Sequence, residues 1–106
     1  MDSSREAFRI PVPVQAVADF CRRHRVRELA LFGSVLRDDF TEHSDVDVLI
    51  EPGPDHEHTL DELLTMQEEL ATMFGRKVDL VYKDLLDKYI RDDVLRRRRV
   101  FYVAAQ

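Results

Sequence analysis

The chain is poor in several things that whole classes of protein depend on. It has one cysteine, three glycines and no tryptophan in 106 residues. The lone Cys21 rules out an internal disulfide, and at helical spacing from Val14, Val17 and Ala18 it reads as a buried structural thiol rather than a nucleophile. No apolar run approaches the roughly 20 residues of a membrane-spanning helix, and the opening Met1-Asp-Ser-Ser-Arg-Glu6 lacks a basic and then apolar signal pattern, so a cytoplasmic location is expected. Positive charge is in deficit as well. Sixteen basic residues against 21 acidic ones leave a net charge of −5, which argues against direct nucleic-acid binding through bulk electrostatics. Repeats and low-complexity segments are missing too. The length gives room for one core that buries about 60 to 70% of the extended chain's surface, and none for separate substrate and catalytic domains.

What is present is an alternation of helical and strand patterns. Pro11-Val-Pro13 closes an N-terminal arm, residues 1–13, and the domain is expected to occupy residues 14–106. Val14, Val17, Ala18 and Cys21 recur at helical spacing until about His24. Glu28–Phe32 and Asp45–Ile50 are short apolar runs of strand length. Pro52-Gly-Pro-Asp55 makes a loop, and Thr59 with Glu62 three residues on is a capping-box signature. Leu60, Leu63, Leu64, Gln67, Leu70, Ala71 and Phe74 follow the helical template, and Gly75 is placed to terminate it. Arg76–Tyr82 is a third strand pattern. Asp84 is expected to cap a last helix with Leu85, Leu86, Tyr89, Ile90 and Val94 inward, and Val100-Phe-Tyr-Val103 reads as either an edge strand or a docking tail. This order implies an α/β (α+β) domain, a small sheet covered by helices on at least one face.

The chemistry is concentrated between Gly33 and Asp47. Gly33 allows a tight turn or a close approach to a ligand, and Ser34 is a favoured helix N-cap whose hydroxyl can alternatively reach a phosphate. If Val35-Leu36-Arg37 opens a short helix, its free amides would face an anion and Arg37 would add a charged donor. Asp45 and Asp47 alternate on a strand, so both point to one face with α-carbons about 6.5 to 7 Å apart. Two carboxylates so placed can converge on one Mg²⁺, which favours octahedral oxygen ligation and completes its shell with water and substrate phosphate. Asp79 interrupts the third strand pattern. Buried alone it would be costly, so it lies on an exposed face, pairs with a cation, or joins the metal site as ligand to a second ion or as acceptor of a hydroxyl proton.

Taken together, Gly33-Ser34, Asp45-x-Asp47 and Asp79 resemble the DNA polymerase β-like nucleotidyltransferase superfamily, specifically its minimal nucleotidyltransferase (MNT) branch, and the resemblance covers most of the chain. Ser44 and Arg37 also match that pattern, whereas Leu36, Asp38 and Asp39 depart from it. The resemblance implies a small mixed β-sheet flanked by helices, with Gly33, Ser34, Arg37 and Ser44 binding the nucleotide phosphates. It implies catalysis by Asp45, Asp47 and Asp79 as metal ligands, with two Mg²⁺ ions supporting in-line attack on the α-phosphorus of ATP. No acceptor pocket is evident in so short a chain, so a partner is expected to bring the acceptor. By resemblance, that partner is a HEPN-domain toxin encoded nearby, and the reaction is transfer of AMP to a tyrosine hydroxyl of this ribonuclease, which makes the chain an antitoxin.

Two alternatives use the same residues differently. A non-catalytic antitoxin or scaffold would neutralise its partner by occlusion, but has no physical need for three convergent acids whose repulsion a metal must offset. An RNA or small-molecule nucleotidyltransferase would keep the chemistry and change the acceptor. Two further clusters stand outside the motif. Asp55-His-Glu-His58 has metal-ligand side chains but reads as a solvated loop, because adjacent ligands in a Pro/Gly segment lack zinc-site spacing. Arg91 to Arg99 carries five arginines against Asp92 and Asp93, net +3, and reads either as a solvated helix end or as an electrostatic contact for RNA or an acidic partner.

Overall fold

Along the chain run α1 (Val14–Arg23), β1 (Val26–Phe32), a 3₁₀ turn over Gly33–Leu36, β2 (Val46–Pro52), α2 (Leu60–Phe74), β3 (Val78–Tyr82), a second 3₁₀ turn over Lys83–Leu85, α3 (Lys88–Arg97) and β4 (Arg99–Val103). This computed structural model describes residues 12–36, 41 and 43–104. Most of the predicted N-terminal arm therefore lies outside the described residues.

The strands form one mixed sheet in the order β3-β2-β1-β4. β1 pairs antiparallel with β2 and with β4, while β2 and β3 run parallel. A parallel pair needs a long crossover, and α2 supplies it. The helix is well delimited by its sequence: the Thr59 hydroxyl accepts the Glu62 backbone N–H at 3.1 Å, and Gly75 ends it at a left-handed φ of +69°.

Period-two alternation gives the sheet two different faces. On one, Leu29, Leu31, Val46, Val48, Ile50 and Val78 pack with Val17, Phe20 and Cys21 of α1 and with Met66 and Leu70 of α2, forming the main core. On the other, Ala30 and Leu49 pack under Leu86, with Phe32, Val81, Val94 and Leu95 around them, so that α3 covers part of that face. Cys21 is fully buried, as its spacing predicted, and burial pushes its thiol pKa up to about 12 against the smaller opposing effect of Arg22.

Expectations for the helices are corrected. Asp87, not Asp84, caps α3, its Oδ1 accepting the Tyr89 N–H at 2.8 Å. The helix therefore starts later than the apolar pattern suggested, and Leu85, Tyr89 and Ile90 are exposed rather than inward (74%, 85% and 50%). Leu60, Leu64 and Val14 likewise point outward. Of the two readings of the C-terminal Val100–Val103 segment, the edge strand holds: it lies beside β1, with Phe101 and Tyr102 packed against the core.

Candidate active site

The sheet register sets two of the predicted acids, Asp47 and Asp79, side by side. Phe32 of β1 is the partner of Asp47 in β2, and Asp47 is the partner of Asp79 in β3, so the three stand in one row across the face that α3 partly covers. Neighbouring strands are about 4.8 Å apart, which makes Asp47 and Asp79 closest neighbours although 31 residues separate them in sequence. Asp45 precedes β2 by one residue, and the Lys77 ammonium lies 3.9 Å from its Oδ2. With Lys77 three-quarters exposed, water screens most of that attraction.

Gly33 sits against this row and must be glycine. Its φ is +75°, and a Cβ built on it would lie 2.2 Å from Asp47 Oδ2 and 3.1 Å from Asp47 Cγ. Any side chain would occupy the space of the carboxylate. The turn backbone thus passes directly over Asp47, which is why glycine follows the strand here. The residues after it form a short 3₁₀ turn over Gly33–Leu36, with Val35 buried. The Ser34 hydroxyl and Arg37, both assigned to phosphate from sequence, lie outside the described residues, as do Asp38 and Asp39.

Ser44 has a local role. Its hydroxyl accepts the Thr41 N–H at 2.9 Å and its own N–H donates to the Thr41 carbonyl at 3.0 Å, closing the turn that leads into Asp45. Arg76 donates to the carbonyls of Thr41 (3.1 Å) and Ser44 (3.3 Å). This arginine, missed from sequence, ties the segment before β2 to the segment before β3 and so helps set the position of Asp45. Nothing local signals it, because its partners are more than 30 residues away.

Two cavities flank the acids. One of about 440 Å³ is walled by Phe32, Asp47, Asp79, Gln67 and the Leu85–Asp87 segment, with Ile90 at its edge. The second, about 530 Å³, shares Phe32 and Ile90 and continues past Gly33 and Leu36 to Arg97 and Arg99. The sequence leaves the arginine run between a solvated helix end and an electrostatic contact for RNA or an acidic partner. The fold divides it. Arg98 turns inward to Glu28 at 2.8 Å, Arg96 and Arg97 both pair with Asp93, at 2.8 and 3.0 Å, and Arg97 and Arg99 line the cavity that opens at the Gly33 turn, with Asp93 among its walls.

The Asp55–His58 loop is not simply solvated, contrary to its sequence reading. His56 and His58 are both half-buried, and His58 is hydrogen-bonded to Tyr82 Oη at 2.7 Å and to the His24 carbonyl at 2.6 Å. The partners come from β3 and from the residue that ends α1, which no local pattern could reveal.

The Gly33 turn, Asp47 and Asp79 thus lie together on one face of the sheet, and comparison with known proteins places the chain in a family. Residues 14–101 match the family model described as nucleotidyltransferase domain. The chain is 40% identical over 83 residues to protein adenylyltransferase MntA of Thermococcus cleftensis, covering 76% of this chain and 78% of that one. It is 31% identical to a solved structure with a provisional minimal nucleotidyltransferase assignment, at a TM-score of 0.68 over 81% of this chain and 86% of that one. The chain belongs to the nucleotidyltransferase domain family, in its minimal MNT branch. The fold is shared at lower identity, 16%, with a toxin-antitoxin complex solved with AMP-PNP (TM-score 0.70; 88% of this chain, 75% of that one). It is also shared at 16% identity with a structure of tri-AMPylated Shewanella oneidensis HEPN toxin in complex with MNT antitoxin (TM-score 0.62; 86% and 70%). Among the described residues, no helix is long and apolar enough to cross a membrane.

Proposed function

We propose that this chain is a Mg²⁺-dependent protein adenylyltransferase that moves AMP from ATP to a tyrosine hydroxyl of a HEPN-domain toxin in the cytoplasm, and thereby acts as its antitoxin. The observation that carries this reading is the contact of the Gly33 backbone with the Asp47 carboxylate, in a row that continues to Asp79. An all-oxygen donor set at the mouth of a cleft suits Mg²⁺.

Asp45 and Asp47 would hold the metal that orients the triphosphate, and Asp79 would hold a second ion or take the proton of the attacking hydroxyl. Bound Mg²⁺ supplies charge neutralisation on the phosphate oxygens and lowers the pKa of the hydroxyl. The glycine turn lets the phosphates approach the backbone, with Ser34 and Arg37 as further donors. The tyrosine oxygen then attacks the α-phosphorus in line, the bond to the β-phosphate oxygen breaks, and pyrophosphate leaves.

A protein acceptor is favoured by what borders the cleft. Leu85 and Ile90 line the cavity beside Asp79 and are exposed together with Tyr89. Exposed apolar and aromatic side chains at the rim suit a protein surface better than a small polar acceptor. The relatives named above as protein adenylyltransferase and as antitoxin in complex with HEPN toxin support the same reading.

The test is incubation of the chain with ATP labelled at the α-phosphate, Mg²⁺ and the product of the neighbouring open reading frame. Label on a tyrosine of that product is expected. Tight binding without label would instead identify a non-catalytic antitoxin, and label on RNA or a small molecule would redirect the acceptor.

A further inference from the structure

On the opposite side of the molecule from the acids, three side chains converge that the transfer reaction does not use. His56 and His58 lie in the loop before α2, and Glu62 is in its first turn; one ligand atom from each falls within 4.8 Å of the others. His56 Nε2 is 3.3 Å from Glu62 Oε1. Two ligands of a tetrahedral zinc ion, each about 2.0 to 2.2 Å from the metal, stand about 3.3 to 3.6 Å apart, so this pair already has the required separation.

The third ligand is prepared by its surroundings. A carbonyl can only accept, so the 2.6 Å contact from His58 Nε2 to the His24 carbonyl places the ring proton on Nε2. The Nδ1 lone pair is thereby directed away from that carbonyl, where it now accepts the Tyr82 hydroxyl at 2.7 Å. A backbone carbonyl on the distal nitrogen is the arrangement that fixes histidine ligands in metal sites. The loop itself is anchored beside this point, since Gly53 N–H donates to the Arg25 carbonyl at 2.9 Å. On the outer side, His24 holds Glu62 Oε2 through Nδ1 at 3.3 Å and Glu69 through Nε2 at 2.9 Å.

We infer that His56, His58 and Glu62 form a Zn²⁺ site that clips the 53–58 loop to α2, with water in the fourth position. Two imidazoles and one carboxylate are a zinc-type donor set, whereas the all-carboxylate set at Asp45, Asp47 and Asp79 is of the magnesium type. Zinc replaces a proton between His56 and Glu62 and displaces the Tyr82 hydroxyl from His58. Tyr82 and Asp79 alternate on β3, so the two sites lie on opposite faces of the sheet. The proposal stands independently of the transfer reaction.

The experiment titrates the untagged, chelator-stripped full chain with ZnCl₂ against a chromophoric zinc chelator, in millimolar Mg²⁺ that occupies the carboxylate site. One zinc per chain is expected, with a melting temperature several degrees higher in excess zinc. Affinity should fall at least about tenfold in both His56→Gln and Glu62→Gln, checked for folding by circular dichroism, and remain unchanged in Asp47→Asn. Absence of micromolar binding would overturn the assignment. So would binding that survives both substitutions or that is lost in Asp47→Asn.

Discussion

Asp47 and Asp79 are register partners on adjacent parallel strands, β2 and β3, and share the face that α3 partly covers. Two carboxylates in that relation are placed to share a cation. Asp47→Asn keeps the shape and removes one charge. Because even outer-shell changes at metal sites cost about 10- to 100-fold, transfer should fall by at least about 100-fold. In metal-free buffer the variant should melt at or above the wild-type temperature. Retained transfer in a folded variant would remove Asp47 from the metal site.

Asp79 is the more exposed member of the row. Asp79→Ala should abolish transfer while sparing most Mg²⁺-ATP binding, which Asp45 and Asp47 sustain. Isothermal titration with a non-hydrolysable ATP analogue measures the binding arm. Loss of nucleotide affinity as severe as that in Asp47→Asn would show that Asp79 organises the first metal instead.

Gly33 and Gly75 both have left-handed backbones, but only Gly33 has an obstacle over it. Gly75→Ala meets open space and should cost about 1 kcal/mol from backbone strain alone, a drop of about 4 to 8 °C in Tm, with transfer intact. Gly33→Ala adds a methyl group 2.2 Å from Asp47 Oδ2. It should lower Tm further and remove transfer, because the carboxylate must move. Equal Tm losses with transfer retained in both would show that the Gly33 approach is dispensable.

Cys21 should be inert in the native protein. Burial pushes its pKa up to about 12, so thiolate is scarce at neutral pH and the sulfur is covered. Iodoacetamide at pH 8 should label it only after denaturation, read by mass spectrometry. Rapid native labelling would mean that α1 opens locally.

Tyr89 is 85% exposed at the start of α3, beside the rim formed by Leu85 and Ile90. If the acceptor protein docks there, Tyr89→Ala should weaken transfer to it by roughly tenfold or more, as hot-spot truncations do, with ATP binding unchanged. Removing residues after Leu95 is no test of docking, because it deletes β4 and two aromatic side chains packed on the core.

The sequence alone determined the elements whose signals are local. Thr59 and Gly75 delimit α2 because capping depends on residues within one turn of the helix end. Gly33, Asp45 and Asp47 were legible because a turn and a period-two pair need only neighbouring residues. Asp79 stood out only as an acid in an apolar strand. That it neighbours Asp47 was decided by the parallel register of β2 and β3, in which backbone hydrogen bonds join residues that no periodicity relates. Tertiary pairing also decided between edge strand and tail for Val100–Val103, since the edge of β1 offered it a ladder. The histidines at 56 and 58 gained partners in the same way, from His24 and Tyr82 on separate elements. Local sequence fixes backbone preference and side-chain period, whereas contacts between distant segments depend on which arrangement buries the apolar faces while pairing the backbone, and only the folded chain decides that.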